Sequence, residues 1–330
     1  MFLTATKSWE IHRDQLGEKP WNFSSPTAHA VFERMRTGTK PLKEIASGFG
    51  NGVQTGKDPL LFLTVEKARA LRLEKEYLRP IVRGRNIRNG EVANSNEVVV
   101  FPYRDAGTKY KALTPSELTH APWLQAYLAE HKEALSKRRW FGKTAEEASG
   151  QWWGLMFLDS PPSFKTLHLV TPSLSKSATF ALAGEELFPT GTAGVTSVQL
   201  PEAFDTRPLL AILNSPLLST YALAHSPIYQ GSFRKFSKPY IENLPVHDRE
   251  NGRVDVWERL GGLWDARMEL QPGANREVID NRISDLVNEL YGVTDAELAQ
   301  LIREVAPLND SYEDPDLDEM IDIAEEGISI

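Results

Sequence analysis

Two short runs contain residue types that bind nucleotides or transfer methyl groups, and each fails at a nameable position. Residues 48–58, GFGNGVQTGKD, approach the phosphate-binding form GxxxxGK followed by Ser or Thr. Asn51 stands where the first glycine belongs, and Asp58 replaces the hydroxyl that would ligate magnesium, placing a negative charge where phosphates would lie. The GxGxG portion also invites a methyl-donor or dinucleotide reading, but without a clear preceding strand and following helix a plain glycine turn is favoured. Residues 159–164, DSPPSF, nearly match the Asp/Asn/Ser-Pro-Pro-Tyr/Phe signature of amino-methyltransferases. There the polar side chain and a carbonyl accept from the target amine, and the aromatic ring stacks on a flipped base. Here Ser163 occupies the aromatic position and Phe164 follows one residue late, so the expectation is a proline-rich loop.

Other chemistries find less support. The chain has no cysteine, which removes disulfides, thiolate zinc sites and cysteine nucleophiles. Its seven histidines are scattered, with no HExxH or comparable pair to set two on one helix face. No GxSxG elbow, paired-carboxylate signature or nuclease centre is recognisable. The sequence therefore predicts no catalytic residue, no metal and no cofactor in this chain.

Three basic-aromatic clusters are better candidates for function. The first runs from Arg79 to Arg88 and contributes Arg83, Arg85 and Arg88. The second, Lys137 to Lys143, contributes Lys137, Arg138, Arg139, Trp140 and Lys143, with Phe141 among them. The third, Tyr229 to Tyr240, contributes Gln230, Ser232, Arg234, Lys235 and Lys238. Lys and Arg neutralise phosphates, while Arg, Asn and Gln offer paired hydrogen bonds to base edges, so all thirteen are candidate DNA-binding residues. The competing reading is that each cluster is a solvated helix end or loop whose rings enter the core.

The charge distribution favours the first reading. The formal net charge is −8, yet residues 1–245 carry 30 Lys and Arg against 23 Asp and Glu, whereas residues 246–330 carry 7 against 22. A positive segment with an acidic appendage suits a polyanion-binding part. Hydrophobic residues at 41% and charged residues at 25% are ordinary for a globular protein, and no apolar run approaches the roughly 20 residues that cross a bilayer. The opening MFLTATKSWEIHRD lacks a signal peptide's apolar segment, so a cytoplasmic location without membrane contact is expected.

The elements that must position these clusters form an α+β pattern: a mixed, turn-rich target-recognition domain of short strands and interspersed helices, with a helical C-terminal appendage. Four parts are expected: a linker and helical segment at 1–41, the recognition domain at 42–246, the helical appendage at 247–308 and an acidic, disordered tail at 309–330. Ser25-Pro26 opens a capped helix. Short β-rich runs at Glu97–Phe101, Leu167–Val170 and Ala178–Leu182 alternate with Gly/Pro/Asn turns. Trp123, Leu124, Tyr127, Leu128 and Leu135 recur with a helical period and predict one buried face, and residues 207–225 predict another helical stretch. Beyond Pro245, helices are expected at Val256–Leu270, Asn275–Tyr291 with Gly292 as C-cap, and Asp295–Val305 with Thr294 as N-cap. From residue 309 the tail carries nine acids and no Lys or Arg.

The order of several segments resembles the TaqI-like C-terminal specificity domain of adenine-specific methyltransferases in restriction-modification and related phage-defence systems. The segments are Trp9; Leu42–Ala46 leading into Gly52–Asp58 and the strand Leu60–Val65; Leu78–Ile87; Val100–Tyr103; Trp123–Arg139 with Trp152-Trp153; Leu210–Leu217; and Tyr240–Val246. Asn86 departs from the family's usual Asp. The resemblance implies a mixed α/β recognition domain that docks in the DNA major groove opposite a catalytic domain that flips the target adenine. Only about 40 residues precede the matched run that starts at Leu42, with no methylating half among them. The implied function is sequence-specific recognition of double-stranded DNA for an adenine methyltransferase, with S-adenosylmethionine held by the catalytic domain or subunit. Two alternatives stand beside it: a protein-interaction module or decoy that binds the methyltransferase partner, and a fragment of a complete site-specific methyltransferase or endonuclease.

Overall fold

A computed structural model describes residues 25–305 apart from 89, 161, 192–193, 230–231, 251–252 and 272–273. The expected tail at 309–330, Trp9 and the candidate Gln230 lie outside the described residues.

Two four-stranded sheets organise the strand-rich half. The first is antiparallel throughout, in the order Ala181–Ala183, His168–Pro172, Val195–Gln199 and Gly48–Gly50. Its two central strands are buried along their whole length, with polar His168, Ser197 and Gln199 buried among them. The second places Phe188–Pro189 parallel to Leu78–Val82, which pairs antiparallel with Glu97–Val100, itself antiparallel to Phe62–Thr64. The strands expected at 97–101 and 167–170 are thus present, and that expected at 178–182 is confined to Ala181–Ala183.

Helices follow the apolar spacing closely. Ser25 caps Pro26–Arg36 by accepting from the Ala28 amide, with proline in the first turn where its missing N–H costs nothing. At the far end, Val254–Glu269 buries Val256, Trp257, Leu260 and Trp264, and Glu277–Tyr291 buries Ile283, Leu286, Val287 and Tyr291 before Gly292 ends it at φ 61°. Thr294 and Glu297 exchange hydrogen bonds as a capping box for Asp295–Val305.

Two expected single helices are broken. Residues 207–225 form Thr206–Leu213 and Pro216–His225, because the Asn214 side chain bonds the Phe180 backbone across the gap and Ser215 caps the Leu218 amide. The second run splits into Pro122–Glu130 and Lys132–Ser136 at His131. Trp123 also leaves the predicted buried face: it is half exposed beneath the Arg72 guanidinium, since only Leu124, Tyr127, Leu128 and Leu135 keep the i, i+3, i+4 register.

Burial redraws the domain boundaries. The C-terminal helices share one core with Pro26–Arg36, Thr206–Leu213, Pro216–His225 and the inward side of the first sheet. A second core collects Val53 through Phe188 around the second sheet and the Pro122–Glu130 helix, and a small third cluster lies between the sheets. The segment expected as an appendage at 247–308 therefore packs into the same core as the N-terminal helix, and residues 42–246 contribute to all three clusters. Trp257, Leu260 and Trp264 share that core with Thr206–Leu213, and Phe204 meets Trp257 edge to face at 6.1 Å, a pairing that local pattern does not report. No helix among the described residues is long and apolar enough to cross a membrane.

Candidate nucleic-acid interface

The two near-miss motifs meet in space but are used structurally. Phe157–Leu158 pairs with Val53–Gln54, which brings Asp159 over the glycine turn. The Gly52 amide, which a nucleotide loop would present to a phosphate, donates to Asp159 Oδ2 at 2.6 Å instead. Burial pushes the Asp159 carboxyl above its usual range, with the Gly52 and Asn51 amides working against that shift. Gly52 sits at φ 69°, and a Cβ there would lie 1.9 Å from the Pro189 carbonyl, so glycine is required by packing. Thr55 donates to Asp58, closing the turn at the position a magnesium ligand would hold. Phe164 stacks on Phe188 at 4.0 Å and 4° inside the second core and is 1% exposed, so it has no access to a flipped base. These residues do not fit a methyl-donor site.

The second basic cluster is a hairpin on a buried anchor. Arg138 is 5% exposed, and its guanidinium donates to four carbonyls, those of Leu135, Thr55, Trp152 and Gly154. Burial pulls its pKa down to about 10, still charged at neutral pH. Among the thirteen candidates Arg138 is thus a scaffold residue: all the donors that would reach a phosphate point inward. From this anchor, Arg139 and Trp140 pair with Thr144 and Lys143, leaving Phe141-Gly142 as the turn. Arg139 and Lys143 are exposed, and Lys137 is exposed while paired with Glu133 at 2.6 Å. Trp140 packs on Phe157 at 5.9 Å and on Phe141 at 4.6 Å. Glu147 sits beside the hairpin; hydrogen bonds from Thr144, then the charges of Arg139 and Lys143, hold its carboxyl below the usual range.

The first cluster is turned largely inward. Arg83 is buried and donates to both Glu97 oxygens, at 2.9 and 3.2 Å, with its guanidinium over the Phe62 ring. Arg85 donates to the same carboxylate at 3.1 Å. Arg88 is exposed and donates to the Arg85 carbonyl. The following hairpin, Ile87–Arg88 with Glu91–Val92, leans on the C-terminal helices: Arg276 pairs with Glu91 at 2.5 Å, and Gly90 at φ 79° leaves room for the Trp264 ring.

The third cluster is built around the short strand Arg234–Lys235. Arg234 and Lys235 pair with Ser175 and Leu174, and Ile228 bridges Arg234. Ile228 and Tyr229 are exposed, with Lys235 Nζ 4.9 Å from the Tyr229 ring centroid. Arg234 donates to the Ser226 carbonyl, and burial lowers its pKa. Ser232 is half buried, and Lys238 is exposed above the Phe49 ring.

One loop links the three clusters. Thr190 donates to the Val82 carbonyl and Gly191 to that of Val53, while Ser173 donates to Gly194. Val82 leads into the first cluster, Val53–Gln54 pairs with the strand on which Trp140 packs, and Leu174-Ser175 carries the third. Thr190, Gly191 and Gly194 thus tie together Val53, Val82 and Ser173, segments up to 120 positions apart. Sequence reasoning missed Glu97, which neutralises the first cluster, and treated Phe141 only as a member of its cluster. Phe-Gly between two short β-forming pairs was the available signal for a projecting turn.

The architecture is a mixed helix-and-strand scaffold that carries basic, aromatic-bearing turns on short strands. Residues 79–246, just over half the chain, match the TaqI-like C-terminal specificity domain, and the chain belongs to that family. It is 24% identical over 238 residues to the type II methyltransferase M.PaeR7I of Pseudomonas aeruginosa, covering 72% of this chain and 38% of that protein. Against the type II methyltransferase M.XhoI of Xanthomonas vasicola the identity is 24% over 282 residues, covering 85% and 46%. The chain therefore spans less than half the length of these relatives. Among solved structures, the type IIL restriction-modification enzyme MmeI in complex with DNA superposes with a TM-score of 0.55 at 13% identity, covering 81% of this chain and 36% of that one. That likeness concerns the fold.

Proposed function

We propose that this chain reads a DNA sequence for an adenine-specific methyltransferase of a restriction-modification or phage-defence system, and that methyl transfer belongs to a separate domain or subunit. The observation that carries the reading is the hairpin 139–144, which holds exposed Arg139 and Lys143 on a base fixed by buried Arg138. Recognition needs side chains presented to phosphates and base edges from a rigid support, and short strands joined by tight turns supply it. Family membership supports the same assignment. Arg85, Arg88, Lys137, Arg139, Trp140, Lys143, Gln230, Ser232, Arg234, Lys235 and Lys238 remain the proposed contacts; Arg83 and Arg138 support them from beneath.

S-adenosylmethionine is assigned to the partner, because Phe164 is in the core and the Gly52 amide is engaged by Asp159. The test is binding of duplex DNA across a salt series together with calorimetry against S-adenosylmethionine. The expected result is salt-dependent DNA binding with a log–log slope set by the phosphates contacted, and no methyl-donor binding. Absence of duplex binding at low salt with the catalytic partner present overturns the reading, as does donor binding by this chain alone.

A further inference from the structure

The most exposed large apolar side chain among the described residues is Phe141, at 87%. Its position is unusual for three independent reasons. The pairing of Arg139 with Thr144 and Trp140 with Lys143 leaves a two-residue turn, and both turn residues are left-handed, Phe141 at φ 45° and Gly142 at φ 79°. Such turns favour Asn or Asp at the first position, because a bulky L side chain is strained there. The turn also stands clear at its second residue, since a Cβ built on Gly142 meets nothing within 4 Å. Finally, its inner edge is supported: Phe141 packs on Trp140, Trp140 on Phe157, and the strand of Phe157 pairs with Gln54. Strained, apolar and braced, the side chain is held out in solvent where burial gives it nothing.

The surroundings specify the occupant. Arg139 and Lys143 stand on either side of the turn and Lys137 precedes it, so a polyanion is drawn to the ring's flanks. An apolar ring between phosphate-binding side chains matches a base-pair step, whose edge is charged and whose interior is aromatic. We infer that Phe141 is a wedge that inserts between stacked bases of duplex DNA, with Arg139 and Lys143 fixing the phosphates of the opened step. The inference rests on the DNA-reading function proposed above. Within it, the hairpin tip distorts the duplex while other turns read base edges. A rigid turn suits this role because a wedge that yields cannot unstack bases.

The experiment compares binding of the full chain to an intact short duplex of mixed sequence and to the same duplex with one central mismatch. A mismatched step is already partly unstacked, so a wedge binds it with less opposition. Wild-type protein is expected to prefer the mismatched duplex by about tenfold. Phe141→Ala should reduce that preference to within about twofold, Phe141→Trp should retain it, and the double change Arg139→Ala with Lys143→Ala should weaken both duplexes alike. A thermal melt of Phe141→Ala should match wild type, because the ring touches little beyond Trp140. If wild type shows no preference, or Phe141→Ala keeps it, the wedge is overturned while DNA binding stands. If neither duplex binds at low salt even with the catalytic partner present, the DNA reading fails and the wedge with it.

Discussion

Residues 83–88 and 137–143 look alike as strings, each placing three or four cations within seven positions beside apolar residues. Their structures differ in where the charge is spent. In the first, a single carboxylate, Glu97, meets both Arg83 and Arg85, and the Phe62 ring covers the Arg83 guanidinium. In the second, one arginine goes inward to carbonyls and its neighbours remain outside on a two-residue turn. Arg138 precedes the strand Arg139–Trp140 and is buried, whereas Arg139 is exposed, so adjacent arginines face opposite environments. The lesson is that a basic cluster advertises an interface only after its internal partners are subtracted.

The largest expected effect breaks the inward-facing half of that comparison. Arg138→Ala strands four carbonyls without their charged donor and should lower the unfolding free energy by about 3 kcal/mol or more, measured by chemical denaturation. A stability change below about 1 kcal/mol, with DNA affinity lost, would instead make Arg138 a contact residue. Glu97→Gln comes next: removing the carboxylate shared by two arginines should cost about 2 kcal/mol of stability. It should leave duplex affinity unchanged or raised, because the acid offsets the cations that face DNA. Loss of affinity beyond the loss of folded protein would show that Glu97 positions Arg85 for contact.

The exposed half should respond with the opposite signature. Arg139→Ala with Lys143→Ala should shift stability by no more than about 0.5 kcal/mol yet reduce the salt-dependence slope by about 2, one per phosphate contact. An unchanged slope would remove the hairpin from the interface.

A last effect is a pH dependence in the helical half, at the end of Pro216–His225. Burial lowers the His225 pKa to about 4, and nearby Arg36 adds to the shift. His225 Nδ1 lies 2.7 Å from the Tyr221 carbonyl and Nε2 2.9 Å from Arg36 Nη2, a pattern that suits the neutral ring with its proton on Nδ1. The unfolded ring takes its proton near pH 6.5, so stability is fully present above that value and is lost as pH falls toward 4. With allowance for partial exposure the loss should reach up to about 2 kcal/mol. His168, also lowered by burial, contributes in the same direction. His225→Gln should flatten the stability curve between pH 6.5 and 5, above the carboxylate range, leaving only the His168 part. An unaltered curve would place the titration elsewhere.

Much of the fold was legible because its signals are local. Ser25-Pro26, Thr294 with Glu297, and Gly292 fix helix ends through bonds to backbone within four residues. The breaks at Asn214 and His131 were not, since Asn214 is held by Phe180, a partner chosen by packing. The three candidate clusters were found by composition, but their division into support and contact was not, because Glu97 and the carbonyl of Thr55 reach them across 12 to 83 positions. The domain boundaries suffered in the same way: apolar faces at 254–305 announce helices without naming what they bury against.

The sequence by itself determined the mixed helix-and-strand class, the helix caps, the family through an ordered set of segments, and the failure of both nucleotide-like motifs at named residues. Only the tertiary structure decided that Asp159 seals the glycine turn, that Phe164 belongs to a core, that Arg83 and Arg138 serve the scaffold, and that Phe141 is held out at a strained tip. Those facts depend on which distant groups share a buried space, where an unpaired charge or carbonyl is costly and a partner must be found. Neighbours along the chain carry no record of that partner.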